Sequence, residues 1–231
     1  MSAVLQLTNV IKEYPGEPPV RAVDNITLTI EAGDAVAIVG PSGSGKSTLL
    51  NLMGALDRPT SGTVELDGAD VSRLSDRKLS ALRGRALGFV FQRFMLLDAL
   101  DAVENVATAL LYRGTSAAER RRRAIDALEQ VGLGHRLDHR PSRLSGGEQQ
   151  RVAVARAIVG EPALILADEP TGNLDSKTSE EILGLLLELN AAGNTVVVIT
   201  HDLNVANRLP RRVHFQDSRI VEDSTRRGVS A

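Results

Sequence analysis

The sequence predicts an α/β fold: a parallel sheet with helices, an antiparallel β portion on its N-terminal side, and an inserted helical lobe. Three observations carry this. Short apolar runs at Ala35–Val39, Leu164–Ala167 and Val196–Ile199 read as strands buried on both faces, as in a parallel sheet. From Asp101 to about Arg140 the apolar spacing turns helical, with Val103, Val106 and Leu110 recurring on one face. Between strand and helix patterns, Gly40-Pro41-Ser42-Gly43-Ser44-Gly45-Lys46-Ser47 fits G-x-x-x-x-G-K-[ST], the phosphate-binding P-loop. The fold class is therefore α/β with a P-loop NTPase core.

The elements follow in chain order. Val4–Leu7 and Ile26–Ile30 alternate like strands, and Pro15-Gly16-Glu17-Pro18-Pro19 between them is turn chemistry. Ala35–Val39 feeds the glycine loop, and Ser47–Met53, with Thr48 in its first turn, reads as a helix. Thr63–Leu66 and Leu87–Phe91 read as further strands. Ser116 and Glu119 form a candidate capping box before Ile125, Leu128 and Val131. Gly147–Val159 is a second helix of the lobe, ended by Gly160 and Pro162. An amphipathic helix with Ile182, Leu185, Leu186 and Leu189 on one face separates the last two apolar strands. The core is expected at 1–92 and 160–224, the helical lobe at 93–159, and a frayed tail at 225–231.

The composition narrows the function classes. A chain of 231 residues with 42% hydrophobic and 24% charged residues suits one large domain or two unequal lobes. A net charge of −2 supplies no basic field for nucleic acid, so none is expected as a partner. There is no cysteine, which removes disulfides and cysteine-ligated metals. No signal peptide is read at the N-terminus, and the apolar runs fall far short of the roughly 20 residues a bilayer span needs. A membrane process would need another chain to supply the channel.

The chemistry-bearing segments reinforce one another. In a P-loop the backbone N–H groups and the helix N-terminus cradle phosphates, Lys46 reaches the β- and γ-phosphates, and the Ser47 hydroxyl binds Mg²⁺. Ala163–Ala167 runs apolar into Asp168-Glu169. Asp168 is expected to hold the magnesium, and Glu169 to polarise the attacking water as general base. His201 directly follows a buried strand, whose end in an open α/β sheet faces the ligand crevice. Alone it would be a structural hydrogen-bonder; one strand beyond the acid pair, it is placed to touch the γ-phosphate and to fix water and Glu169. Leu144-Ser145-Gly146-Gly147-Glu148-Gln149-Gln150-Arg151 supplies a second glycine-rich helix start. With one P-loop per chain, Ser145, Gly146, Gly147 and Glu148 would serve the nucleotide held by another copy, so that two chains enclose two ATP molecules. Arg120–Arg123 reads as a solvated helix face. Tyr14 is either packing or a stacking partner for adenine. Asp175 is either a helix cap before Ser176 or a contact across the dimer.

Tyr14, the P-loop, Gln92, residues 144–151, Asp168-Glu169, Asn173-Leu174-Asp175 and His201 stand in the order and approximate spacing of ABC-transporter nucleotide-binding subunits, which this chain resembles over residues 4–223. The resemblance implies a single ABC ATPase domain that binds ATP and Mg²⁺. In it Tyr14 stacks on adenine, Gln92 contacts Mg²⁺ and the attacking water, and Asp175 lies in the D-loop. Finer segments, Gly88–Phe94 with Leu96-Leu97, Glu104-Asn105-Val106, Ala167–Asp175 and Thr200-His201-Asp202, are similar to the lipoprotein-release and macrolide-efflux type. That branch implies a membrane permease with a large extracytoplasmic domain, and a position on the cytoplasmic face of the cell membrane through that partner. The chain departs from the pattern at Arg211-Arg212 and Gln216-Asp217-Ser218, which leaves the C-terminal strand geometry and partner contacts open.

Together these residues and the resemblance imply an ATP-hydrolysing homodimer that drives a separate permease, an exporter or extractor. Its rivals are the same ATPase driving a membrane regulator without transport, a soluble DNA-repair or translation ATPase, and a P-loop kinase or simple nucleotide-binding module. The partner separates the first two from the transport expectation, and the 144–151 segment has no use in the last.

Overall fold

Two sheets and seven α-helices make up the protein in a computed structural model that describes residues 2–225. β1 (Ala3–Tyr14), β2 (Val20–Glu31), β4 (Ser61–Leu66) and β5 (Ala69–Asp70) form an antiparallel sheet in the order β2-β1-β4-β5. The second sheet runs β10-β9-β3-β8-β7-β6. Its strands are β3 (Ala35–Val39), β6 (Leu87–Phe91), β7 (Leu164–Asp168), β8 (Val196–Thr200), β9 (Arg211–Gln216) and β10 (Arg219–Asp223). All of its neighbours pair in parallel except the final hairpin, which is antiparallel.

The parallel sheet is buried on both faces, as the unbroken apolar runs predict. Ala35, Ala37 and Val39 of β3 enter one hydrophobic core, whereas Val36 and Ile38 enter the other. The second of these cores is closed by the antiparallel sheet, by α1 (Lys46–Met53) and by α2 (Asp76–Ala86). The first is closed by α3 (Ala102–Ala107), α4 (Ala117–Gln130), α5 (Gly146–Ile158), α6 (Ser176–Ala191) and α7 (Leu203–Asn207). The helices between β6 and β7 thus share one continuous core with α6, α7 and the sheet face.

Local chemistry explains where the sequence reading was short. β1 and β2 extend well past the alternating runs because irregular register breaks the alternation between them. Asn9 and Asn25 sit there at φ 50° and 52°, which asparagine tolerates better than most residues. Ser116 does cap α4 through the Glu119 amide, but the reciprocal half of the predicted box is absent, because Glu119 grips Arg122 instead. Complete boxes form at Asp101/Glu104 and Ser145/Glu148. The Arg120–Arg123 run is less solvent-directed than its composition implies, since Arg123 pairs with Glu161 and Arg120 donates to the Thr115 carbonyl. The predicted tail lies outside the described residues, apart from Thr225.

The unusual C-terminal residues keep the strand geometry. Asp217 and Ser218, at φ 48° and 64°, turn β9 into β10 with both central residues left-handed, as a two-residue hairpin requires. Arg211 bridges Asp34 and Asp223 and donates to the Thr29 carbonyl. Burial pushes the Asp223 carboxyl up, but the Arg211 guanidinium and the Thr225 amide hold it below its ordinary 3.8. A depressed folded-state value stabilises above the unfolded one and is lost as pH falls through the folded one. Asp223→Asn should therefore flatten the acid limb of a stability–pH curve below about pH 4. At pH 7 it should cost roughly 2–3 kcal/mol, below the usual figure for a broken buried pair because Asp34 still holds Arg211. Chemical denaturation across pH checks both; an unchanged acid limb would remove Asp223 from the account.

Candidate active site

Parallel register gathers the site. Val39 pairs with Thr200, Ile199 with Asp168, and Asp168 with Phe91, so four strands end at one level. The residues that follow, Gly40, His201, Glu169 and Gln92, are delivered to that common edge. There Gln92, Asp168, Glu169 and His201 face Ser42, Gly43, Gly45, Lys46, Ser47 and Thr48 across a cleft of about 450 Å³, with Ala22 at its rim. Sheet topology, rather than sequence proximity, makes this a site.

Two of the three P-loop glycines are required by contacts from distant strands. A Cβ on Gly40 would lie 1.9 Å from the Phe215 carbonyl oxygen, and one on Gly45 would lie 2.1 Å from that of Ala22. Gly43 and Gly45 also adopt φ 78° and 99°, the left-handed region open to glycine. Gly45 caps α1 without a side-chain hydrogen bond, so the first-turn amides of that helix are not taken by a cap. Lys46 Nζ donates to the carbonyls of Gly40 at 2.8 Å and Pro41 at 2.7 Å. Burial pulls its ammonium below the ordinary value, and Glu169 and Asp168 oppose that pull. The Ser44 hydroxyl is buried with no hydrogen-bond partner, and the Ser44 carbonyl accepts from the Ser218 amide.

Opposite the loop, Glu169 is held at both oxygens. Oε1 accepts from the His201 amide at 2.9 Å and lies 2.6 Å from His201 Nδ1; Oε2 accepts from the Thr200 hydroxyl at 3.0 Å. Its backbone is left-handed at φ 45°, a strained setting for a glutamate at the end of a strand. Burial pushes the Asp168 carboxyl above its ordinary value, the Glu169 charge adds to this, and Lys46 works against both. A cation arriving here would relieve that crowding of negative charge. Ser47, Gln92 and Asp168 supply the hard oxygen donors magnesium prefers, alongside substrate phosphate. Among the described residues no three His, Cys, Asp or Glu side chains form a metal cage.

The other expected residues lie apart from this cleft. Ser145, Gly146, Gly147 and Glu148 start α5 and do not line it. Ser145 and Glu148 complete a capping box, and Glu148 also pairs with Arg136 at 2.9 Å. Gly147 is required by packing, because its Cβ would meet Thr178 at 2.5 Å. Asp175 caps α6 through the Lys177 and Thr178 amides and the Thr178 hydroxyl, which realises the cap reading. The Tyr14 hydroxyl donates to Asp57, and Lys12 Nζ lies 5.0 Å from its ring centre. Tyr14 does not line the cleft.

Three participants were not singled out from sequence. Thr200 anchors Glu169. Asn173 exchanges hydrogen bonds with Gln92, accepting from Nε2 at 3.2 Å and donating to the backbone carbonyl at 3.0 Å. Gln150 is fully buried beneath both strand ends. A threonine in a strand and a glutamine in a helix carry no local signal for such roles.

Comparison with known proteins agrees with the geometry. The sequence profile described as ABC transporter matches residues 23–172. The chain is similar to an uncharacterized ABC transporter ATP-binding protein of Thermotoga maritima, 52% identical over 99% of this chain and 98% of that protein. It is also 52% identical to the macrolide export ATP-binding/permease protein MacB 1/2 of Paracoccus denitrificans, over 95% of this chain but 33% of that longer protein. Among solved structures, a dimeric post-hydrolysis state of the ATP-binding cassette MJ0796 bound to ADP and Pi is 47% identical with a TM-score of 0.85, across 95% of this chain and 97% of that one.

Proposed function

This chain belongs to the ABC transporter family and is an ATP-binding-cassette ATPase, and from that premise we propose that it is the motor of a membrane exporter or extractor. In this reading two copies close head-to-tail around two ATP molecules. Each nucleotide then sits between the P-loop of one copy and Ser145–Glu148 of the other, with Asp175 at the contact and Tyr14 against adenine. The observation that carries the reading is the arrangement of Glu169, held by His201 and Thr200, across the cleft from Lys46, with the second glycine-rich helix start lying outside that cleft.

The residues divide the reaction between them. Backbone amides of Gly43, Ser44, Gly45 and Lys46 hold the β- and γ-phosphates, and Lys46 leaves its loop carbonyls for the phosphate oxygens. Ser47, Asp168 and Gln92 would hold Mg²⁺, which neutralises charge that develops on the phosphates. Glu169 accepts a proton from water as the water oxygen attacks the γ-phosphorus and the bond to the bridging oxygen breaks, leaving ADP and phosphate. His201 keeps Glu169 aimed at that water and reaches the γ-phosphate. Among the described residues no helix is long and apolar enough to cross a membrane. By its likeness to the macrolide-export ATP-binding/permease proteins, the reading places the chain on the cytoplasmic face of a membrane, against a separate permease with an extracytoplasmic domain. Motion of residues 93–159, passed through the segment after Gln92, couples the two.

The test is a pull-down from detergent-solubilised native membranes, using Glu169→Gln protein with ATP and magnesium to trap the closed dimer. An integral membrane protein recovered in stoichiometric amount, and lost without ATP, is the expected result. Recovery of only soluble, ribosomal or DNA-bound partners would leave the ATPase and sink the transport reading.

A further inference from the structure

A buried amide joins the second glycine-rich helix to the catalytic edge. Gln150 lies one turn into α5 and is fully buried. Its Nε2 donates to the Pro170 carbonyl at 2.5 Å and reaches the Phe91 carbonyl at 3.4 Å. Phe91 immediately precedes Gln92, and Pro170 immediately follows Glu169, so one side chain ties down the ends of β6 and β7. The cross-bonds between Gln92 and Asn173 close the same circuit. Gln150 Oε1, by contrast, has no hydrogen-bond partner. An apolar side chain would fill this site without stranding an amide oxygen, so what the position secures is the pair of N–H bonds.

We infer that Gln150 is a positioning residue for hydrolysis: it transmits the placement of the α5 N-terminus to Gln92 and Glu169 through the Phe91 and Pro170 carbonyls. The inference rests on the catalytic reading of Glu169 and Gln92 and on the proposed engagement of Ser145–Glu148 by a second copy, but not on any membrane partner. When a second copy's nucleotide engages Ser145–Glu148, α5 is pulled as a rigid rod, and Gln150 carries that movement to both strand ends. Binding at the P-loop does not pass through Gln150 and should be indifferent to it.

The experiment uses the full chain. Gln150→Met conserves volume and removes both N–H donors. It should lower kcat about tenfold or more, with KM and equilibrium ATP affinity within about twofold, because only placement in the reacting state is lost. It should also be strongly non-additive with Gln92→Ala, the double variant turning over no more slowly than the slower single one, as expected for groups that act as one unit. A merely structural role would lower folded fraction, ATP affinity and kcat together, and would add to the effect of Gln92→Ala. That pattern, or a kcat within about twofold of the native enzyme, overturns the inference. If Gln150→Met does not fold, Gln150→Lys decides the matter, since it keeps N–H donors for both carbonyls. It should retain kcat to within about threefold, and a tenfold loss at native ATP affinity overturns the inference. Loss of ATP binding in the native protein would instead refute the nucleotide-site reading itself.

Discussion

Glu169→Gln should bind ATP as the native chain does and hydrolyse it at least about a hundredfold more slowly, within the range for loss of a general base. The reason lies in how the carboxylate is held. Oε1 has the His201 amide and ring, Oε2 has the Thr200 hydroxyl, and the main chain is locked at φ 45° between β7 and Pro170. A glutamine of the same size keeps the oxygen that accepts from His201, and the Thr200 hydroxyl can rotate to accept from the new NH₂. Fold and cleft survive, then, while the group able to take a proton from water does not. The phosphate-holding residues lie across the cleft on the loop between β3 and α1, so affinity is separable from turnover. Single-turnover hydrolysis beside equilibrium nucleotide binding measures both. Turnover within about threefold of native would remove Glu169 from the base role.

Gly45→Ala should abolish measurable nucleotide binding and destabilise the fold by about 3 kcal/mol or more. A methyl group there would sit 2.1 Å from the Ala22 carbonyl oxygen and 3.2 Å from the Phe215 ring, on a backbone at φ 99°. The loop must move off β2, and moving it turns the phosphate-facing amides away. Gly43→Ala is the built-in comparison. It shares a positive φ of 78° but meets nothing within 4 Å, so only backbone strain of about 1–2 kcal/mol applies. Calorimetric titration with ATP and thermal unfolding of the two variants side by side test the distinction. Equal effects at the two glycines would show that packing against Ala22 is irrelevant to the cradle.

Legibility followed the range of the signal. The strands Ala35–Val39 and Leu87–Phe91 are bounded as read, because a short apolar run between turn residues is a complete local statement. α2 was not anticipated, since Asp76–Ala86 buries only Leu79, Leu82 and Ala86 on an otherwise polar segment. The capping box expected at Ser116/Glu119 was half right, because Arg122 is a stronger partner for the carboxylate than the Ser116 amide. At the site, Gln92, Asp168, Glu169 and His201 were legible as strand ends and motif positions. Thr200, Asn173 and Gln150 stand inside quoted motifs, but their roles were not legible, because the groups they hold lie on other strands and loops.

By itself the sequence determined the α/β class, the strands of the apolar runs from Ala35–Val39 to Val196–Thr200, and the P-loop and acid-pair motifs. These are patterns of neighbouring residues, and burial on both faces of a strand or the wrapping of a phosphate imposes them locally. The tertiary structure alone decided which strand ends meet at one edge. It also decided that Gly40 and Gly45 are enforced by the Phe215 and Ala22 carbonyls, and that one amide in α5 holds the approaches to both Gln92 and Glu169. Those are contacts between segments far apart in the chain, made where the P-loop packs against β2 of one sheet and β9 of the other and where α5 meets the ends of β6 and β7.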